Sequence, residues 1–81
     1  MADRTIKLRR LIQILKAFGV SADMGRGKGS HILFVKRADT GTFTYPVPNE
    51  DDVLICYVRG CRKKFKLTDR DGVSDDDFYN V

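Results

Sequence analysis

The chain has 81 residues and a formal net charge of +4 at pH 7, and 42% of its residues are apolar. This length allows one small domain with a modest core, and the apolar share argues against general disorder. No apolar run approaches the roughly 20 residues of a membrane helix. The first residues do not resemble a signal peptide, so we expect a cytoplasmic protein.

The charges are unevenly distributed along the chain. Residues 1–67 carry 14 of the 15 Lys and Arg residues, whereas residues 68–81 carry five Asp residues and one Arg. A basic body of this kind indicates a polyanionic partner. The acidic segment either is solvated or competes with that partner for the same surface.

Cys56 and Cys61 are the only cysteines. Five residues apart on a helix they point about 140° apart, so we expect no disulfide between them. No second Cys or His pair completes a zinc site, and we therefore predict neither a structural metal nor a cofactor. Two free thiols fit a reducing cytosol.

Apolar residues at three- and four-residue spacing predict an amphipathic helix over residues 5–18, with Thr5 or Asp3 as its cap. The predicted apolar face consists of Leu8, Leu11, Ile12, Leu15 and Phe18. Gly19 fits the left-handed position that commonly ends a helix.

Three strands are predicted after this helix. Alternation of apolar and polar residues indicates strands over residues 20–24 and 42–47, and a continuous apolar run indicates a central strand over residues 30–37. Pro46 and Pro48 place the third strand at an edge, because proline cannot donate to a sheet ladder.

A second helix is predicted over residues 53–66, after a start signal in residues 49–52. Its expected buried face is Leu54, Val58, Cys61 and Phe65. Its opposite flank is basic and consists of Arg59, Arg62, Lys63 and Lys66, which are candidates for contact with the polyanionic partner. Gly60 permits a close backbone contact, and Ser74 is a candidate cap for a last short helical turn.

This α-β-β-β-α order predicts an α+β fold of two layers. Three antiparallel strands bury one face under the two helices and leave the other face open.

The stretch before the second strand carries the residues most suited to chemistry. Three glycines alternate with two cations ahead of the only histidine, in the order Gly25, Arg26, Gly27, Lys28, Gly29, Ser30 and His31. Glycines let a phosphate come close, cations supply charge for it, and an imidazole can transfer a proton near neutral pH. The alternative interpretation is a solvated hairpin loop with a structural histidine, since the spacing matches no standard phosphate motif.

Four segments of the chain together resemble one protein family. They are Phe-Gly-Val at residues 18–20, Lys-Gly-Ser-His at residues 28–31, Val-Pro at residues 47–48, and Tyr-Val-Arg-Gly-Cys-Arg-Lys-Lys-Phe at residues 57–65. In this order the chain resembles the HicA-type (YcfA-like) toxins of bacterial and archaeal toxin–antitoxin pairs, over roughly residues 5–67.

The resemblance implies a double-stranded-RNA-binding-domain-like fold, ribosome-independent cleavage of mRNA, and inhibition by a cognate HicB-like antitoxin. It assigns the essential histidine to His31, with Gly29 and Ser30 in the same motif. Because typical members end near residue 67, we divide the chain into a HicA-like domain, residues 1–67, and an acidic C-terminal extension, residues 68–81.

The predicted activity is that of a metal-independent endoribonuclease with catalytic residues His31 and Lys28. His31 would act as the base, and Lys28 and Arg26 would hold the phosphate. The other RNA-binding candidates are Gly27, Gly29 and Ser30 and the basic flank of the second helix, Arg59, Arg62, Lys63 and Lys66. Lys28, Tyr45 or water would supply the acid for the leaving oxygen.

Two other interpretations remain. One is a non-catalytic RNA-binding module of the same fold, and the other is a protein whose basic face docks an acidic partner. Exposure of Phe43, Tyr45 or Tyr57 would favour RNA, because bases stack on aromatic rings.

Overall fold

A computed structural model describes residues 3–23 and 30–81. Its elements in chain order are β1 (Ile6–Lys7), α1 (Leu8–Ala17), β2 (Ser21–Asp23), β3 (His31–Ala38), β4 (Gly41–Pro48), β5 (Asp52–Val53), α2 (Ile55–Lys64), a 3-10 turn (Asp69–Asp71) and α3 (Asp75–Tyr79). The expected α+β class is confirmed. Two short strands, β1 and β5, pair with each other and were not predicted.

The main sheet is antiparallel with the order β2-β3-β4, so β3 is the central strand, as predicted. Ile32 pairs with Val47, and Phe34 pairs with both Ala22 and Tyr45. Directly opposed residues share a face, and neighbours along a strand alternate between faces. The sheet therefore has a core face, which carries these residues, and an open face, which carries the odd-numbered residues of β3 from His31 to Arg37.

Both long helices contribute to the core that covers the core face. The cluster includes Leu8, Leu11, Ile14 and Leu15 of α1, Val58 and Cys61 of α2, Ile32 and Phe34 of β3, and Val47 of β4. Ile14, which was not predicted, is fully buried, whereas Ile12 and Phe18 of the predicted face are only partly buried.

Both predicted helix starts are wrong. Residues 6 and 7 pair with Val53 and Asp52, and the first helical N–H, that of Leu8, donates to the Asp51 carbonyl at 2.8 Å. Neither helix has a side-chain cap at its N-terminus. Leu54, expected in the core, is 55% exposed. Val53, which the sequence assigned to the helix, belongs to β5, and Leu54 stands just before the first helical residue, Ile55.

The C-terminus of α1 forms as predicted. Gly19 has φ +82°, the Val20 N–H donates to the Leu15 carbonyl at 2.8 Å, and the Gly19 N–H donates to the Lys16 carbonyl at 3.0 Å. These two bonds define a Schellman motif.

The C-terminus of α2 repeats that geometry with a lysine in the glycine position. Lys66 has φ +57°, and the Leu67 N–H donates to the Arg62 carbonyl at 2.7 Å.

The prolines of β4 occupy positions at which no hydrogen bond to β3 is lost. A two-residue turn joins Ala38 to Gly41, which makes them a hydrogen-bonded pair, so alternate residues from Gly41 onward donate to β3. Pro46 and Pro48 fall between those residues, and their nitrogens point away from β3. β4 is the edge strand, as predicted.

The cysteines are both free, as expected, with Cys56 exposed and Cys61 buried. Burial raises the pKa of the Cys61 thiol to about 12. Within residues 3–23 and 30–81, no helix is long and apolar enough to cross a membrane.

Gly60 provides the close contact that the sequence suggested. A Cβ at Gly60 would overlap the ring and hydroxyl of Tyr45, so β4 packs against α2 at a site that has no room for a side chain.

We expect Gly60→Ala to lower the free energy of unfolding, although alanine is the better helix former by about 1 kcal/mol. Overpacking typically costs about 1–3 kcal/mol, which outweighs that gain. Urea unfolding of the two proteins measures the difference. In a Tyr45→Leu background the same change should become neutral or stabilising, and an equal loss in both backgrounds would show that the ring is not the cause.

Candidate functional site

His31 is the first residue of β3 and lies exposed on the open face. The Ser30 hydroxyl is 3.0 Å from its Nδ1. The Ser30 carbonyl accepts the Asn49 N–H at 2.8 Å, which ties the start of β3 to the end of β4. In the tautomer in which the Nδ1–H donates to the Ser30 hydroxyl oxygen, Nε2 is unprotonated and is the nitrogen that can take a proton from a substrate.

The other predicted residues of this site precede Ser30 directly in the sequence. Arg26, Gly27, Lys28 and Gly29 lie outside the described residues. Of the predicted catalytic site, the structure therefore describes Ser30 and His31.

Tyr45 is not placed to act as the acid partner of His31. Its register partner Phe34 lies on the core face of the sheet, and His31 lies on the open face. Of the three candidates for the acid, Lys28 and water remain.

Arg62, predicted to bind RNA on an exposed flank, is instead buried, with 4% of its surface exposed. Its Nη1 donates to Asp3 at 2.8 Å and to Asp75 at 2.6 Å. Its Nε and Nη2 donate to the carbonyls of Leu67 and Val73 at 2.8 and 2.9 Å. Four of the five N–H donors of this buried guanidinium are bonded within the protein, so Arg62 is not presented to a phosphate in solvent and its predicted placement on an exposed flank is wrong.

The position of Arg62 in the helical repeat could have predicted its burial. Arg62 follows Val58 by four residues and precedes Phe65 by three, and both of those side chains are buried. Its charge suggested a surface position, but the carboxylates that neutralise it are 59 and 13 residues away in the chain.

The acidic C-terminal segment packs onto this arginine. Ser74 caps α3 by accepting the Asp77 N–H at 3.1 Å, as suggested from the sequence. Phe78 and Tyr79 are buried in the core cluster, and the Arg62 guanidinium lies 4.8 Å from the Phe78 ring centroid. The Tyr79 hydroxyl donates to Asp3 at 2.7 Å, and burial together with this bond raises the pKa of Tyr79 to about 12.

The remaining predicted cations of α2 divide into two groups. Arg59 lies 3.6 Å from Asp3, and Lys63 lines the same shallow groove, together with Asp69. Lys66 lies elsewhere, with its Nζ 6.0 Å from the centroid of the Phe43 ring.

The three aromatic residues on which the RNA interpretation depends are all half-buried. Phe43, Tyr45 and Tyr57 pack against the core cluster at its margin, and none is fully enclosed. Each of these residues is therefore partly accessible to solvent.

Comparisons with protein-family models, with curated proteins and with solved structures found no match to this chain. Among the described residues, no group of three or more His, Cys, Asp and Glu side chains is arranged to hold a metal ion. The assignment of a function therefore depends on the geometry above and on the sequence resemblance.

Proposed function

We propose that the chain is a metal-independent endoribonuclease, the toxin of a HicA-type toxin–antitoxin pair, and that His31 is its catalytic base. The observation that carries the proposal is the Ser30–His31 pair. An exposed imidazole stands at the start of a central strand, with one nitrogen held by a hydroxyl at 3.0 Å. The cationic, glycine-rich residues 25–29 come immediately before it in the sequence.

The chemistry of RNA cleavage fits one such histidine. His31 Nε2 takes the proton of a ribose 2′-hydroxyl, and the 2′-oxygen attacks the adjacent phosphorus. The bond from phosphorus to the 5′-oxygen breaks, and Lys28 or water supplies the proton to that oxygen. The products are a 2′,3′-cyclic phosphate and a 5′-hydroxyl end.

The fold supports the proposal at the level of architecture. A three-stranded antiparallel sheet with helices over one face is compatible with the double-stranded-RNA-binding-domain-like fold that the resemblance implies. We extend the proposal to an mRNA substrate, a cytoplasmic location and a HicB-like antitoxin as partner.

The proposed phosphate contacts come from two places in the chain. They are Arg26, Gly27, Lys28, Gly29 and Ser30 before the histidine, and Lys66 after α2. Arg59 and Lys63 are left out, because they share a groove with Asp3 and Asp69, which offset their charge.

Incubation of the purified protein with a single-stranded RNA tests the proposal. We expect cleavage that persists in excess EDTA and yields 2′,3′-cyclic phosphate ends. A strand with a single 2′-deoxy substitution should resist cleavage at that position, because the attacking hydroxyl is missing. Cleavage that stops in EDTA, or that continues at the deoxy position, would contradict the mechanism.

A second candidate function is RNA binding without cleavage. The half-buried rings of Phe43, Tyr45 and Tyr57 favour it, since they suit base stacking whether or not His31 is catalytic. Salt-dependent binding of RNA that stays intact through prolonged incubation would select this function over the nuclease.

A further inference from the structure

Three aromatic rings line the seam between β4 and α2. Phe43 and Tyr45 are two residues apart on β4 and share its core face, at the outer edge of the sheet. Tyr45 sits over Gly60, and Tyr57 is three residues before Gly60 on the same side of α2. Burial raises the pKa of the Tyr45 hydroxyl, and the neighbouring Cys61, Cys56 and Tyr57 raise it further. We call these rings, Phe43, Tyr45 and Tyr57, the aromatic strip.

Lysines flank the aromatic strip. Lys66 lies over the Phe43 ring, with its Nζ 6.0 Å from the centroid, and Lys36 is the register partner of Phe43. Lys64 follows Gly60 by four residues, which is one turn along the same side of α2. Lys64 and Lys66 are both exposed.

Asp71 is the carboxylate whose charge acts on Lys66. Asp71 Oδ2 accepts bonds from the Thr68 hydroxyl and N–H, at 2.7 and 3.2 Å, and these bonds lower the pKa of Asp71 more than Lys66 does. The other side of α2 carries two carboxylates, because Asp3 lies 3.6 Å from Arg59 and Asp69 lines the same groove as Lys63.

The backbone at Lys66 is a second, independent observation. This position has the left-handed conformation, φ +57°, in which glycine is the usual residue, and Gly19 occupies the equivalent position after α1. A lysine in this conformation is unfavourable compared with glycine. Unlike glycine, however, it places an ammonium group beside the Phe43 ring.

We propose that single-stranded RNA binds along the aromatic strip, with its bases stacked on Phe43, Tyr45 and Tyr57 and its phosphates on Lys36, Lys64 and Lys66. This inference rests on the proposed function and specifies its substrate class. Partly exposed rings interleaved with lysines bind single strands, because every unpaired base has a face to stack. A duplex keeps its bases stacked internally and offers the rings no base face.

The strip and His31 are connected through β4. Pro48, the register partner of His31, is three residues from Tyr45, about 10 Å along an extended strand. Since β4 is the edge strand, an RNA strand bound to the strip passes around this edge to reach His31 on the open face.

Binding is measured in the His31→Ala background, so that the RNA stays intact. Fluorescence anisotropy of a labelled 12-nucleotide single strand is compared with that of a duplex of equal length. Lys64→Gln with Lys66→Gly removes two charges beside the strip. Arg59→Gln with Lys63→Gln is the matched control, which removes two charges from the other side of the same helix.

We expect the first pair of changes to weaken single-strand binding about tenfold or more in 50 mM salt, and the control pair to weaken it less than threefold. Phe43→Leu should weaken it about fivefold or more, since stacking on one ring is worth about 5- to 150-fold by substitution. The duplex should bind more weakly than the single strand and respond little to Phe43→Leu.

Loss of folding and loss of RNA binding can be distinguished in this test. Lys66→Gly places glycine at a position with φ +57°, so the thermal midpoint should hold or rise while RNA affinity falls. A control pair that weakens binding as much as the first pair would overturn the inference, as would a stronger response of the duplex. Failure of the wild-type chain to cleave RNA would overturn the proposed function alone, because the binding measurements do not depend on it.

Discussion

Removal of residues 68–81 is expected to unfold the protein rather than to uncover a basic surface. The truncation deletes Phe78 and Tyr79, which are buried in the core, and Asp75, one of the two carboxylates that neutralise buried Arg62. Truncating a single buried aromatic residue to alanine costs about 3–5 kcal/mol. A domain of this size has about 5–15 kcal/mol of stability in total, so loss of both rings and the carboxylate is comparable to the whole stability of the fold.

Far-UV circular dichroism and thermal unfolding of the chain ending at Leu67 measure this effect. Phe78→Ala in the full-length chain is the milder variant and should lower the free energy of unfolding by about 3–5 kcal/mol. The control is Asp76→Asn with Asp77→Asn, which removes two exposed charges of the same segment and should change stability by less than about 1 kcal/mol. A truncated chain that keeps a cooperative transition near the wild-type midpoint would contradict the prediction.

Replacement of His31 by alanine is expected to lower the RNA cleavage rate by at least about 100-fold, because positioned acid–base catalysis contributes about 10²–10⁴-fold. The side chain is exposed, so the thermal midpoint should stay near that of the wild type. Initial rates of cleavage of a labelled single-stranded RNA, at equal protein concentration, measure the effect.

Two further variants serve as comparisons for His31→Ala. Ser30→Ala removes the hydroxyl that contacts Nδ1 and should reduce the rate less than His31→Ala, since it positions the imidazole and does not transfer the proton. Thr42→Ala, on the same open face but at the far end of the sheet, should leave the rate unchanged. Equal rates for His31→Ala and wild type would show that another group is the base.

Features governed by neighbouring residues were predictable from the sequence. Gly19 ends α1 and Ser74 caps α3, because a glycine conformation and a side-chain bond across three residues depend only on local geometry. The prolines of β4 identified the edge strand for the same reason, since a missing N–H acts at its own position.

Features governed by distant partners were not predictable in this way. Asp3 looked like a helix cap, but it accepts bonds from Arg62 and Tyr79, which are 59 and 76 residues away. The pairing of β1 with β5 moved both helix starts, and it joins segments more than 40 residues apart. For the candidate site, the sequence correctly placed His31 at the start of the central strand, but it did not show that Tyr45 lies on the other face.

The two prolines of β4 also limit how this molecule can associate with others. Along the outer side of β4 the N–H groups of Thr42 and Thr44 point outward, and Pro46 and Pro48 have none to offer. An incoming extended segment would find donors along only half of the strand, which makes β-augmentation and edge-to-edge fibril growth unfavourable here. The opposite edge, β2, spans three residues. A protein that binds along β4 is therefore expected to recognise side chains, and backbone pairing of β4 between copies of the chain is unfavourable.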